Sequence, residues 1–328
     1  MPTFFVLIKN ASDYYKLNYS DILKSKDVLY IDNPVSRYNK SIQWLHRFHN
    51  SMFINSIVSL PFKKIWFPYY IKGYEIPKED VCFIIDASPF YLTTYMFDFF
   101  RYVKKLYPKG KYVLFYQDLI RLCPEDYRPN KMRDLFDLIV TYDKNESIQY
   151  GILYHPTVGS RLNVRCVDEV KDIDVYLLAK DKQRLPLIID VYDALSNTGL
   201  VCEFFITEVP QNKRIFRSGI HYLDRPMKYV ENIKHVVKSK CILEVIQNNA
   251  VGYSLRLWEA ILYDKKFLTN NQEMYKSEFY DIRYVSIFNC IEDLNNKSKF
   301  ILQNGDYQNP FKKIISPRSL LNFIEEHL

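Results

Sequence analysis

Glycine is scarce in this chain, with eight in 328 residues, and the closest two are Gly151 and Gly159. Neither G-x-G-x-x-G nor the P-loop pattern can be written from them, which removes the ordinary glycine-built cradles for NAD, FAD and ATP. H-E-x-x-H and G-x-S-x-G are absent too, so nothing points to a zincin or a serine-hydrolase elbow. The six cysteines (Cys82, Cys123, Cys166, Cys202, Cys241, Cys290) stand singly, without a C-x-x-C pair. They read as buried thiols, not as a disulfide framework or a zinc site. One close D-x-D spacing exists, Asp172-x-Asp174, but it precedes a strand, whereas a metal-holding pair belongs in the loop after one. No metal is expected. No apolar run approaches the ~18–20 residues of a membrane-spanning helix. The run from Phe4 to Ile8 has no basic flank and is too short for a signal-peptide core, so it is expected to be the first β-strand of a cytoplasmic protein.

What is present is ample apolar material: 48% hydrophobic and 16% aromatic residues. A chain past roughly 250–300 residues splits into separate cores, so two domains are expected. The formal charge is +7, an excess of five bases over acids in residues 1–155 and of two in 156–328. A solvated surface accounts for so small a surplus. The basic first half would also suit peripheral contact with the inner face of an anionic cell membrane. The stretch Phe97 to Tyr112, which mixes aromatics with Arg101, Lys104, Lys105, Lys109 and Lys111, could serve there, but packing plus a solvated face is the preferred account of it. No nucleic-acid partner is expected, because no helix-turn-helix, zinc-finger or RNA-binding aromatic pattern accompanies the charge.

Along the first half, short apolar runs at Phe4–Ile8, Val28–Asp32, Lys64–Phe67, Val81–Asp86, Tyr112–Tyr116 and Leu138–Thr141 predict buried strands. Helical patterns lie between them, near 41–56, 91–107, 130–136 and 144–150. Ten or more helical residues between strands imply parallel pairing through crossovers. The segment from Tyr154 to Ser160 holds turn formers without periodicity and reads as a linker. The alternation then restarts. Strands are predicted at Asp174–Leu178, Cys202–Ile206, Cys241–Val245, Lys266–Leu268 and Val285–Ile287, with helices over about 185–197, 226–238 and 254–263. The fold class is therefore α/β, with a first domain at 1–155 and a second at 160–315. The closing helix, 316–328, capped by Ser316 with Pro317 behind it, is a candidate to pack back on the first domain.

The stretch that carries chemistry runs from Cys241 to Asn271, as strand, loop, helix, strand and loop. Its first strand delivers Gln247, Asn248 and Asn249 to the C-terminal edge of a parallel sheet, where open α/β folds bind ligands. Gly252 permits close backbone approach. Ser254 caps the next helix, whose free N–H groups and positive dipole end suit a diphosphate. Arg256 and Glu259 lie three apart on one face of it: a guanidinium can fork onto phosphate and a carboxylate can take two ribose hydroxyls. A plain surface ion pair between them is the competing reading.

The pattern G-x-S-L-R-L-x-E-A, followed by D-K-K-F-L-T-N-N, resembles the donor-binding motif of bacterial GT-B glycosyltransferases of the lipopolysaccharide and capsular polysaccharide type. That motif reads roughly G-x-T-x-R-x-x-E-A … G-K-K-L-I-T-x-N. Gly252, Ser254, Leu255, Arg256, Glu259, Ala260, Lys265, Lys266, Thr269 and Asn270 match, and Asp264 stands where the family has glycine. The strand Asp174–Leu178 with the basic loop Lys180–Arg184, and the stretch from Phe136 to Gly151, are similar to further parts of the same family. The similarity is good over about 135–275 and weaker before it.

The resemblance implies two Rossmann-like parallel-sheet domains facing across a cleft, the first on the acceptor side and the second holding a nucleotide diphosphate sugar as co-substrate, with no cofactor. Arg256, helped by Lys180 or Arg184, would neutralise the departing diphosphate without a metal, and Glu259 would hold the ribose. Gln247, Gly252, Ser254 and Leu255 complete the implied donor set, with Glu244 nearby. The acceptor would be a glycan or a lipid-linked sugar. Inversion would require a base from the first domain. Asp86 and Asp118 are the first candidates because both follow buried strands, and Asp32, His46 and His49 come next. Retention would require none. A two-domain sugar-binding protein and a sugar-nucleotide epimerase or hydrolase are the alternatives that share this architecture.

Overall fold

Strands apolar at every position must be covered on both faces, and a parallel sheet crossed by helices does this. A computed structural model of the chain contains two such sheets. It describes residues 4–8, 13–31, 35–58, 60–87, 94–164, 172–246, 252–303 and 308–328. The chain divides into two units, Met1–Val158 with Ser316–Leu328, and Gly159–Ile315.

The first unit holds β1 (Phe4–Ile8), β2 (Val28–Ile31), β3 (Val81–Ala87), β4 (Lys111–Tyr116), β5 (Leu138–Thr141) and β6 (Leu153–Tyr154). They pair in the order β2-β1-β3-β4-β5-β6, all parallel. Side chains alternate between the faces. Val6, Phe83, Ile85 and Leu114 enter one core with Phe100 and Val103 of the helix Thr94–Leu106. Phe5, Leu7, Ile84, Val113 and Phe115 enter another, which Leu320, Leu321 and Ile324 of the helix Pro317–His327 close. That helix begins as its sequence predicts: the Ser316 hydroxyl accepts from the Ser319 N–H at 3.2 Å.

The second unit holds β7 (Ile173–Lys180), β8 (Cys202–Thr207), β9 (Ile220–Leu223), β10 (Ser239–Glu244), β11 (Lys266–Thr269) and β12 (Val285–Ile287). Their order is β12-β11-β10-β7-β8-β9, again all parallel. Renumbered within the unit this is 3-2-1-4-5-6, the Rossmann order. Helix Leu185–Ser196 covers one face through Ile188, Val191 and Leu195. Helices Tyr229–Lys238 and Leu255–Leu262 cover the other through Ile233, Val236, Leu257 and Ile261.

Two expectations change. Residues 64–67 are not a strand: Lys63–Trp66 is a 3-10 turn running into the helix Phe67–Ile71. Pro68 lacks the N–H a ladder needs and sits instead in a helix's first turn, where that loss costs nothing. The helix expected over 41–56 is two, Lys40–His49 and Met52–Ile57, because Asn50 ends the first and the Ser51 hydroxyl caps the second. The aromatics of 97–112 pack inward, with Phe97, Phe99, Phe100, Tyr107 and Tyr112 all buried. Of the bases there, Lys104 donates to the Leu135 carbonyl at 2.9 Å and Lys109 pairs with Glu79. Packing accounts for that stretch.

Asp264 shows why the resembling motif carries glycine at its position. Its φ is 56°, in the left-handed region that short polar residues tolerate best after glycine. Its carboxylate also works: it accepts from the Asn309 N–H at 2.8 Å and pairs with Arg161 and Lys312. Asp264→Ala is expected to lose about 2 kcal/mol, from left-handed strain plus the lost bonds. Asp264→Gly relieves the strain and should lose about 1 kcal/mol less. Equilibrium urea unfolding distinguishes them; equal losses would show that φ is irrelevant here.

Candidate functional site

From β7 the chain winds outward through β8 and β9, then returns to the other side of β7 as β10 and winds away through β11 and β12. Between the C-terminal ends of β7 and β10 the direction of winding reverses, and such a switch point leaves a crevice at the sheet edge. A cavity of about 200 Å³ lies there, lined by Leu177 and Ala179 of β7, Glu244 of β10, the following Val245 and Ile246, and the loop positions Lys182 and Arg184. Gly252, Tyr253, Ser254 and Arg256 complete the wall.

The two guanidinium groups of the wall are anchored by main chain. The Arg256 guanidinium donates through Nε and Nη2 to the Leu178 carbonyl, the Nε bond being 2.8 Å. The Arg184 guanidinium donates to the Lys180 carbonyl through Nε at 3.2 Å and Nη2 at 3.1 Å, and to the Val245 carbonyl through Nη1. Burial lowers the Arg184 pKa first, and the neighbouring Arg256 charge lowers it further, against the pull of Glu244 and Asp181. Two like charges thus stand close together in a partly desolvated wall, an arrangement that favours an anion between them. The helix behind Arg256 adds its N-terminus: the Ser254 hydroxyl accepts from the Arg256 N–H at 3.2 Å.

The loops that carry these groups are held stiffly. Lys182 and Gln183 both adopt left-handed backbone, at φ 42° and 67°, where no glycine is present to relieve it. The Asp181 carboxylate accepts from the Leu185 N–H at 3.0 Å and starts the next helix. Beyond β10, the Ile246 N–H donates to Asn270 Oδ1 at 2.7 Å, and the buried Glu244 carboxylate accepts from Thr269 Oγ1 at 2.6 Å. Gly252, at φ 90°, presents backbone to the cavity in a conformation side chains resist.

The sequence-predicted donor residues therefore divide. Arg184, Gly252, Ser254 and Arg256 meet at one cavity. Lys180 does not line it, and its ammonium pairs with Glu208 at 2.6 Å. Leu255 opens the helix outside the lining set. Gln247, with Asn248 and Asn249, lies outside the described residues. Glu259 is 3% exposed, and its Oε1 accepts from Asn232 Nδ2 at 2.7 Å, while Asn232 Oδ1 accepts from the Tyr176 hydroxyl at 2.8 Å. A surface ion pair with Arg256 is not what this residue makes. Two cavity-wall residues went unnoticed as ligands in the sequence, Lys182 and Tyr253; the first stands in the basic loop that could have signalled it.

In the first unit, Asp86 sits near the end of β3 in register with Phe115 of β4, its side chain lying outside what is described. Asp118 follows β4 closely enough to help raise the pKa values of the Tyr142 and Cys123 side chains, after burial in each case. Asp32 lies outside the described residues. His46 and His49 are occupied: His46 Nε2 meets the Tyr70 hydroxyl at 2.7 Å, and His49 Nδ1 accepts from Trp66 Nε1 at 2.7 Å. His49 Nε2 then donates to the Pro61 carbonyl at 2.7 Å, so both ring nitrogens are used.

No family model matches the chain. No curated protein matches it in sequence. Solved structures match in fold. The apo structure of OtsA superposes with a TM-score of 0.55 at 10% identity, covering 99% of each chain. An α,α-trehalose-phosphate synthase (UDP-forming) from Burkholderia xenovorans, in complex with glucose-6-phosphate, gives 0.51 at 8% identity over 99% of each chain. The glycotransferase of kitacinnamycin gives 0.50 at 8% identity over the whole of both. Against the glycosylation-associated Gap123 complex of Streptococcus agalactiae the chain spans 56% of that chain's length, with a TM-score of 0.48. The fold is the GT-B fold of two Rossmann-like parallel-sheet domains.

Burial pushes the Glu259 carboxyl up from 4.5 to about 7, with the Arg256 charge and the Asn232 bond pulling the other way. Its folded pKa lies above its unfolded one, so the folded protein holds more protons between pH 4.5 and 7, and stability falls as pH rises through that window. Glu259→Gln keeps an acceptor for Asn232 without the buried charge. It is expected to gain up to roughly 3 kcal/mol over the parent at pH 8, and nothing at pH 4. Urea unfolding at the two pH values tests it; a loss at pH 8 would mean that the ionised carboxylate is what the site holds.

Proposed function

We propose that the chain is a glycosyltransferase that uses a nucleoside-diphosphate sugar, held by the second unit at the cavity between β7 and β10. The observation that carries the proposal is the meeting of Arg184, Arg256 and the helix start at Ser254 around one crevice. Both guanidiniums here donate to neutral carbonyls. Phosphate oxygens make charge-assisted bonds about twice as strong as neutral ones, so a pyrophosphate competes well for these donors. Negative charge grows on the diphosphate as the sugar departs, and fixed donors that meet it lower the barrier. Two guanidiniums and a helix end fill the role that a metal ion fills in other transferases.

The known structures that share the fold support this reading, one being named as UDP-forming and another as a glycotransferase. The acceptor we assign is a glycan or glycolipid of surface polysaccharide assembly, the class to which the resemblance over residues 252–270 points. Gln247 is assigned to the donor from its place after β10. Glu259, buried with its Oε1 on Asn232 and outside the cavity wall, is assigned to the ribose from the resemblance alone. Should the reaction invert, Asp86 and Asp118 are the proposed bases.

Thermal unfolding with UDP, GDP, CDP and dTDP tests the proposal. A ligand at 100 times its Kd stabilises by about 2.7 kcal/mol, so the matching nucleotide should raise Tm by several degrees. Arg256→Ala and Arg184→Ala should each weaken the apparent affinity at least tenfold, measured against the variant's own Tm. Four nucleotides without effect on the parent would overturn the reading.

A further inference from the structure

The first unit carries an apolar surface that its own core does not use. Trp44 and Phe48 on the helix Lys40–His49 stack at 5.5 Å with an interplanar angle of 18°, yet both are exposed. Phe53 and Ile57 on the next helix, and Phe62 and Ile65 on the turn after it, are exposed as well. Hydrogen bonds tie these three pieces to one another. Asn55 Nδ2 donates to the His49 carbonyl at 3.0 Å, Lys63 Nζ to the same carbonyl at 2.5 Å, and the Leu60 N–H to Asn55 Oδ1 at 3.1 Å. Trp44, Phe53 and Phe62 are 64%, 75% and 79% exposed. At about 150–250 Å² per aromatic side chain these three rings alone bare roughly 400 Å². With the other apolar side chains added, the patch exceeds what a monomer usually leaves in water.

Phe62 sharpens the point. It holds a left-handed φ of 60°, which a bulky residue adopts only at a cost, and its ring gains no burial in return. The charge carried by this segment itself is of one sign. From residue 33 to residue 74 the sequence has six bases (Arg37, Lys40, Arg47, Lys63, Lys64, Lys72) and no acid. One of them, Lys64, pairs with Asp98 of the helix Thr94–Leu106, at 2.9 Å.

We propose that this face, presented by residues 40–58 and 60–65 of the first unit, docks on the surface of an anionic lipid bilayer. Rings at the level of the headgroups with bases around them are what such an interface rewards: apolar burial at the acyl boundary and attraction to acidic lipid. A water-soluble acidic partner would use the charge and leave the rings exposed. The proposal stands on this surface alone and does not require the nucleotide-sugar reading.

The protein supplies its own reporter. It has three tryptophans, of which Trp66 and Trp258 are buried and Trp44 is not. Vesicles of phosphatidylcholine with 30% phosphatidylglycerol are expected to shift tryptophan emission to the blue and to protect it at least twofold from acrylamide. Pure phosphatidylcholine vesicles should do neither. Trp44→Phe should abolish the shift while leaving the sedimented fraction nearly unchanged. The double variant Phe53→Ser/Phe62→Ser should cut the fraction that sediments with anionic vesicles at least fivefold, and 0.5 M salt should do the same to the parent. Both substituted rings are exposed, so circular dichroism and Tm should stay at the parent values. Three results would overturn the proposal: no co-sedimentation of the parent, equal binding by the double variant, or a parent dimer in solution that the double variant converts to monomer. The last would assign the face to a second copy of the chain.

Discussion

A parallel strand pair cannot be closed by a tight turn, and most of this structure follows from that constraint. Each strand must be followed by a crossover before the next can pair, and helices laid over the sheet make those crossovers while covering its faces. All strands of a unit then point one way, so the loops that leave them and the N-termini of the following helices gather at one edge. In the second unit the winding reverses between β7 and β10, and two such edges, one from each strand, adjoin a single crevice. Apart from Gly252, at φ 90°, that geometry is met without glycine. The chain accordingly makes the sharp turn after β7 with Lys182 and Gln183, and the one before β11 with Asp264, at positive φ.

At the crevice the electrostatics are unbalanced by design of the backbone. Two guanidiniums share a partly buried wall, satisfied by carbonyls that carry only partial charge. Main-chain acceptors hold the side chains in place without cancelling their charge, which leaves the field available to an anion. Glu244 and Asp181 offset it only in part, and burial presses Glu259 toward its neutral form. An ion pair between Arg256 and an ionised Glu259 would have spent the charge internally.

Much of this was legible in the residues. Runs such as Val81–Ile85 and Tyr112–Tyr116 are apolar at every position, and only a doubly covered strand uses that pattern. Ser254 and Ser316 announced their helices through cap chemistry that depends on a few neighbouring residues. What failed depended on distant partners. Residues 220–223 escaped notice as β9 because Ile-His-Tyr-Leu is short and half polar; it holds the sheet's edge, where His221 pairs with Glu203 across the strands at 2.5 Å. Residues 153–154 run into the start of what read as a linker, at Tyr154, and only the register with Val140 and Thr141 makes them a strand. The partner that draws Glu259 inward, Asn232, lies 27 residues earlier on another helix, beyond any local pattern. Positive φ at Lys182 and Gln183 left no sign, since neither residue type advertises it.

The helix Pro317–His327 bears on how the chain reaches its native state. Domains ordinarily fold as they leave the ribosome, the earlier one first. Here the first sheet keeps Phe5, Leu7, Val113 and Phe115 on a face that Leu320, Leu321 and Ile324 seal, and those residues are made only after the whole of the second unit. One side of the earlier domain therefore stays uncovered throughout synthesis of the later one. A nascent chain of this protein must be shielded at that face for the time it takes to translate some 150 further codons, and a break anywhere in the second half would leave the first without its lid.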